Sequence, residues 1–161
     1  MSIITNIRTI RLAQFPNSIW VEIETDEQLI GLGEAWRGTA AVETIIHNDI
    51  CPWLIGQDSR NIELISRTLL TPYVGFHSAS AEVRAASAID VALWDLAGKR
   101  HGIPVYEALG GAARSSIQVY NTCSGYSFNA SSSAYNSGTS RRVITNSDEM
   151  RGPYDDQIAF N

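Results

Sequence analysis

The stretch from Ser80 to Arg100 constrains this chain more than any other. Val83, Ala86, Ile89, Leu93, Leu96 and Ala97 recur at the three- and four-residue spacing that gathers apolar side chains on one face of an α-helix. Lys99 and Arg100 stand at what would be the negative end of that helix. Gly102 follows as a residue able to take a left-handed cap. The sequence therefore predicts a long helix with one buried face.

The first third of the chain reads as antiparallel strands. Ile3 to Leu12 alternates in part, with Ile4, Ile10 and Leu12 on one face and Arg8 and Arg11 breaking the run. Ile19, Val21 and Ile23 share one face of a second strand. Asp26-Glu27 marks a turn, and Leu29 to Glu34 forms a third strand whose glycines permit close backbone approach. Helices follow. Thr39 is the expected N-cap of a helix from Ala40 to Ile50, with Val42, Ile45, Ile46 and Ile50 as its apolar stripe and Pro52 as its end. A second helix is expected over Ser59–Leu70, burying Ile62, Ile65 and Leu69, with Pro72 as its stop. A short one is expected after Pro104, to Leu109. Ser116 to Asn121 reads as a lone strand. Strands and helices are segregated along the chain, which is an α+β arrangement: a three-stranded antiparallel meander followed by a helical bundle.

Composition excludes several classes of function. With 44% hydrophobic and 18% charged residues the chain builds a packed core. A net charge of −5 disfavours nucleic acid as a partner. No apolar run has the roughly 18–20 residues of a membrane helix, and Met1 to Thr5 carries no secretory signal. A cytoplasmic location is expected. Cys51 and Cys123 read as free thiols, since no Cys/His cluster has zinc-ligand spacing.

The segment Ala88-Ile89-Asp90-Val91-Ala92-Leu93-Trp94-Asp95-Leu96-Ala97-Gly98-Lys99, followed by Gly102-Ile103-Pro104-Val105-Tyr106, resembles the hallmark helix of the mandelate racemase and muconate lactonizing enzyme family of the enolase superfamily. Thr25-Asp26-Glu27 with Gly31-Leu32-Gly33-Glu34-Ala35 is similar to the family's hairpin. Leu54 to Asp58 is similar to the segment before its second helix, and Leu109-Gly110-Gly111 to the end of its capping domain. Ala108 departs from the larger aliphatic residue usual in the family. The resemblance implies a capping domain over residues 1–112. It further implies the first strand of a (β/α)7β barrel over 113–126, a flexible polar loop over 127–150 and the start of the first barrel helix over 151–161, with the rest of the barrel truncated. Within the hallmark helix, Trp94 is expected to fill a packing contact, and Asp90 to bond nearby backbone or an arginine.

Family enzymes remove the proton next to a carboxylate with a magnesium ion and a lysine or histidine base; the enolase superfamily is a worked example of this chemistry. This sequence offers one lysine, Lys99, inside the hallmark helix. Its histidines are His47, His77 and His101, expected at the surface or at helix ends, and Asp155-Asp156 fits a helix start. No catalytic residue and no metal ligand is therefore assigned, and Mg2+ is expected only in the full-length enzyme. What the resemblance assigns here is the roof of a substrate pocket: Phe15 and Asn17 in the first turn, and Trp36 and Arg37 after the third strand. Asn121, Thr122 and Tyr126 stand at the end of the barrel strand. Arg37 suits a carboxylate or hydroxyl, while Trp36 or Phe15 supplies an apolar wall. The polar set is similar to the sugar-acid dehydratase branch. The expected partners are a small carboxylate substrate (a hydroxy acid or sugar acid), the barrel domain and further copies in a homo-oligomer. The rival readings are a non-catalytic binding or assembly module and one chain of a split enzyme.

Overall fold

The computed structural model describes residues 1–71 and 80–119. Three strands, β1 (Ile4–Ile10), β2 (Ser18–Thr25) and β3 (Ile30–Trp36), form an antiparallel sheet in the order β1-β2-β3. The helices are α1 (Thr39–Ile45), α2 (Cys51–Leu54), α3 (Ile62–Leu70), α4 (Ala81–His101) and α5 (Val105–Ala108), with a π-helical turn over Ile46–Ile50 between α1 and α2.

Alternation is cleanest in β2, where Ile19, Val21, Ile23 and Thr25 are buried. β1 departs from the expected face. Ile4 pairs with Thr25 and Asn6 with Glu24, so a bulge at Thr5 shifts the phase by one residue. The buried pair is then Ile4 and Ile7, while Ile10 and Leu12 are only half-buried. In β3 the core face is Gly31, Gly33 and Ala35. A β-carbon on Gly33 would stand 2.0 Å from the Ala88 carbonyl oxygen, and one on Gly31 would stand 2.2 Å from that of Ala92. Helix α4 thus lies on β3 backbone to backbone. Its buried face is accordingly small where it meets the strand, with Ala85, Ala88 and Ala92 beside Ile89, Leu93 and Leu96. Val83, expected inside, is on the surface. Each fully buried isoleucine or leucine of this core contributes about 1.5–3 kcal/mol.

Three helix boundaries differ from expectation. Gly38, not Thr39, precedes α1; Thr39 is its first residue, and its hydroxyl donates to the Pro16 carbonyl at 3.2 Å. Pro52 does not end the helix, because the wider turn before it and its place in the first turn of α2 absorb the missing N–H. Helix α3 begins at Ile62, three residues after the expected Ser59, with Ile65 buried and Ile62 and Leu69 half-buried. Gly102 caps α4 with φ 65°, as its position suggested.

The polar residues of the hallmark segment act on this scaffold. Asp95 Oδ2 accepts from the Leu32 N–H at 2.8 Å, and Lys99 Nζ donates to the Ile30 carbonyl at 2.7 Å and to Asp95 at 2.7 Å. Together they satisfy the Leu32 N–H and the Ile30 carbonyl on the free edge of β3. Among the described residues Asp90 bonds neither backbone nor arginine but accepts from the Ser66 hydroxyl, tying α3 to α4. Trp94 is half-buried. Arg100 Nη2 donates to the buried hydroxyls of Ser2 (2.6 Å) and Ser59 (2.8 Å), and its Nε donates to Glu27 at 3.1 Å. One side chain so joins the amino terminus, the β2–β3 turn and the α2–α3 connection. Ser116–Val119 forms no strand: among the described residues it has no neighbour to pair with, and Ile117 and Val119 are exposed.

Two expectations follow. Gly33→Ala should lower stability in urea unfolding by about 3 kcal/mol, because its β-carbon meets backbone that cannot rotate away. The second concerns acid. The Ser2 hydroxyl and then Arg100 hold the Glu27 carboxyl below its ordinary 4.5, and Arg60 holds Asp58 well below its ordinary 3.8. Carboxyls depressed in the fold contribute their full stability above those ordinary values and lose it as the pH falls from there through their depressed ones. The urea midpoint should therefore be level near neutrality and drop from about pH 5 downward. In Arg100→Met that drop should be shallower.

Candidate functional site

The loops after β1 and after β3 meet at one end of the sheet. The first is a compact turn, in which Phe15 N–H donates to the Leu12 carbonyl at 3.0 Å and Ser18 N–H to that of Phe15 at 2.9 Å. The second loop is sewn to it, because Arg37 N–H donates to the Asn17 carbonyl at 2.7 Å. The Thr39 hydroxyl bond to Pro16 adds a second stitch. Phe15, Asn17, Trp36 and Arg37, picked out separately from sequence, therefore form one neighbourhood.

Their surfaces are open to solvent. Phe15 is 40% exposed and Trp36 47%. The Arg37 guanidinium lies over the Trp36 ring with its central carbon 4.5 Å from the centroid, so the indole orients the cation without neutralising it. Two further residues belong here that sequence reasoning missed. Trp20 meets Phe15 edge to face, with centroids 6.2 Å apart. Arg84 brings Nη1 to 3.8 Å from where a β-carbon on Gly38 would stand. Trp20 had a signal, since it lies on the outward register of β2. Arg84 had none, being an arginine on the first turns of a helix whose packing was unknown. Arg37 also adopts φ 68°, a left-handed conformation that costs an ordinary residue roughly 1–2 kcal/mol. An arginine held there is a strained residue in an exposed loop, the kind of observation that points to function.

Asn121, Thr122 and Tyr126 lie outside the described residues, as do His77, Cys123, Asp155-Asp156 and the expected segments 127–150 and 151–161. His47 is exposed, with Nε2 2.8 Å from the Thr9 hydroxyl, and His101 is exposed at the end of α4. Cys51 is a buried free thiol, and burial pushes its pKa up, away from nucleophilic use. Among the described residues no three His, Cys, Asp or Glu side chains converge to hold a metal ion. None of them is therefore assigned as a magnesium ligand. Likewise, among the described residues no helix is long and apolar enough to cross a membrane.

The sequence pattern of the mandelate racemase / muconate lactonizing enzyme N-terminal domain matches residues 5–110. The chain belongs to this family. Similar curated relatives of this mandelate racemase-type domain include a D-galactonate dehydratase from Pectobacterium atrosepticum, 41% identical over 125 residues, and a D-mannonate dehydratase from Rhizorhabdus wittichii, 36% identical over 126 residues. Each match covers 76% of this chain and 31% of the relative. Among solved structures, an enolase protein from Sargasso Sea environmental sequence is 58% identical with a TM-score of 0.73, covering 78% of this chain and 34% of that one. An enolase from Pantoea ananatis with bound D-gluconate and Mg is 39% identical with a TM-score of 0.65, covering 71% and 28%. The chain spans about a third of the length of the curated relatives it matches.

If Arg37 serves something outside this mandelate racemase-type domain, its removal should not weaken the fold. Arg37→Gly relieves the backbone strain and gives up the contacts of an exposed side chain, of which the cation–π contact amounts to about 0.5–1 kcal/mol. Its melting temperature should stay at or slightly above that of the unaltered chain. A loss of stability beyond about 2 kcal/mol would make the arginine structural.

Proposed function

We propose that this domain is the lid of a magnesium-dependent sugar-acid dehydratase, and that the 161-residue chain alone performs no turnover. The observation that carries the proposal is the stitched pair of loops, which presents a strained, ring-stacked arginine beside open aromatic surface. The similarity to galactonate and mannonate dehydratases supports the substrate class.

In this proposal Arg37 offers a planar fork of donors to a carboxylate or to neighbouring hydroxyls of a sugar acid. Trp36 and Phe15 supply the apolar wall and exclude water, and Asn17 is poised at the seam between the loops. Asn121, Thr122 and Tyr126 would face the same substrate from the barrel side. Magnesium, when bound by the barrel's acidic residues, would supply charge stabilisation as the proton beside the carboxylate is removed. In this reading that proton's acceptor and the metal's ligands both belong to the barrel.

Purified chain of confirmed mass should therefore give no dehydration of D-galactonate, D-mannonate or D-gluconate with Mg2+ present. Measurable turnover would overturn the lid-only assignment. In a polypeptide that continues through a barrel, Arg37→Ala should raise KM for the sugar acid about tenfold or more, with Arg37→Lys intermediate. An unchanged KM would remove Arg37 from the pocket.

A further inference from the structure

Helix α4 packs on one face of the sheet, and the opposite face lies open among the described residues. The charged residues of the three strands are Arg8, Glu22, Glu24 and Glu34, all on that open face by register. Arg8 is committed, with Nη2 2.7 Å from Glu22 and 3.1 Å from Glu24. Glu34 is not. It is exposed, and it has no ion-pair or hydrogen-bonding side-chain partner among the described residues.

The neighbours of Glu34 make this carboxylate more than a solubilising charge. It stands directly across from Trp20, and Trp36 is the next residue on the same face of its own strand. Its backbone also belongs to the part of the β3 edge that Asp95 and Lys99 leave uncovered. A carboxylate with one indole across from it and another beside it on the same face is the complement of a guanidinium: the anion receives the N–H fork, and a ring receives its flat face. The chain already shows the second half of that recognition, since Arg37 stacks on Trp36.

We propose that Trp20, Glu34 and Trp36 form a docking seat for an arginine presented by another protein, whose strand lies along the open part of the β3 edge. With Arg8 shared between Glu22 and Glu24, the uncommitted carboxylate on this face is Glu34, and it favours a basic partner over a second copy of a chain whose own net charge is −5. Arginine is favoured over lysine because only the guanidinium can fork and stack at once. The seat shares Trp36 with the proposed pocket wall and Trp20 with the stitched loops, and Glu34 is the member that takes no part in the substrate-facing role given to Arg37.

The probe is a short acetylated peptide with one central arginine flanked by valine and threonine, compared with the same peptide carrying neutral citrulline. Titration into the 161-residue chain should shift the indole N–H resonances of Trp20 and Trp36 and leave those of Trp53 and Trp94 in place. Citrulline in the peptide, or Glu34→Gln in the chain, should each weaken binding about fivefold, and added salt should weaken the arginine peptide alone. Trp20→Phe should also weaken it, while the fold is checked by circular dichroism. Equal binding of the two peptides, undiminished binding to Glu34→Gln, or shifts confined to Trp53 and Trp94 would overturn the proposal. Sedimentation of the chain alone gives the remaining outcome: a dimer abolished by Glu34→Gln would assign the seat to a second copy and overturn the basic-partner assignment.

Discussion

The structure depends on a single close approach, that of helix α4 to strand β3. Two glycines on the strand and a run of alanines on the helix let carbonyl oxygens of the helix stand where β-carbons would otherwise be. That contact sets the depth at which the helix sits, and the larger side chains to either side fill the space that remains: Ile89, Leu93 and Leu96 from the helix, and Ile19, Val21 and Ile23 from β2. Close packing of this kind tolerates little change in volume, since interiors are as dense as organic crystals.

Because the helix sits so close, its polar residues can reach the strand's edge and its neighbours. Asp95 and Lys99 take the place of a fourth strand at Leu32 and Ile30 of β3. A free edge invites pairing with foreign strands, and charged side chains are a usual defence. Arg100 extends the same logic to three loops at the far end of the helix, where the Ser2 and Ser59 hydroxyls are buried and need a donor. Residues that resemble catalytic acids on a helical wheel are here consumed by backbone and hydroxyl groups.

The order of elements was legible because each carried its own period: two in β2, three-to-four in α4. Legibility failed where one residue changes the phase. The bulge at Thr5 moved the buried face of β1 from Ile10 to Ile7, and nothing in Ile4 to Ile10 announces it. Val83 was misplaced for a different reason. Hydrophobicity favours valine over alanine for a core, but a helix touching glycines requires the smaller residue, and that requirement belongs to the partner strand. At the candidate site the loop residues were carried over from the family resemblance, onto the turn between the first two strands and the residues after the third. The stitching of one loop to the other, and the edge-to-face contact of Trp20 with Phe15, arise only when β1, β2 and β3 are set side by side.

The π-helical turn at Ile46–Ile50 does more than accommodate Pro52. The side chains that α1, this turn and α2 bury in line are Val42, Ile46, Ile50 and Leu54, each four residues after the last. In a uniform α-helix of 3.6 residues per turn a four-residue repeat creeps around the axis by about 40° a step, so three steps would carry Leu54 about 120° from Val42. One turn closed on the fifth residue instead of the fourth takes up that creep. The helix has been unwound locally to suit an even repeat, much as a supercoil adjusts a heptad, but within one segment and without a second helix to coil around. The sequence keeps time in fours, and the backbone slips once to stay in step.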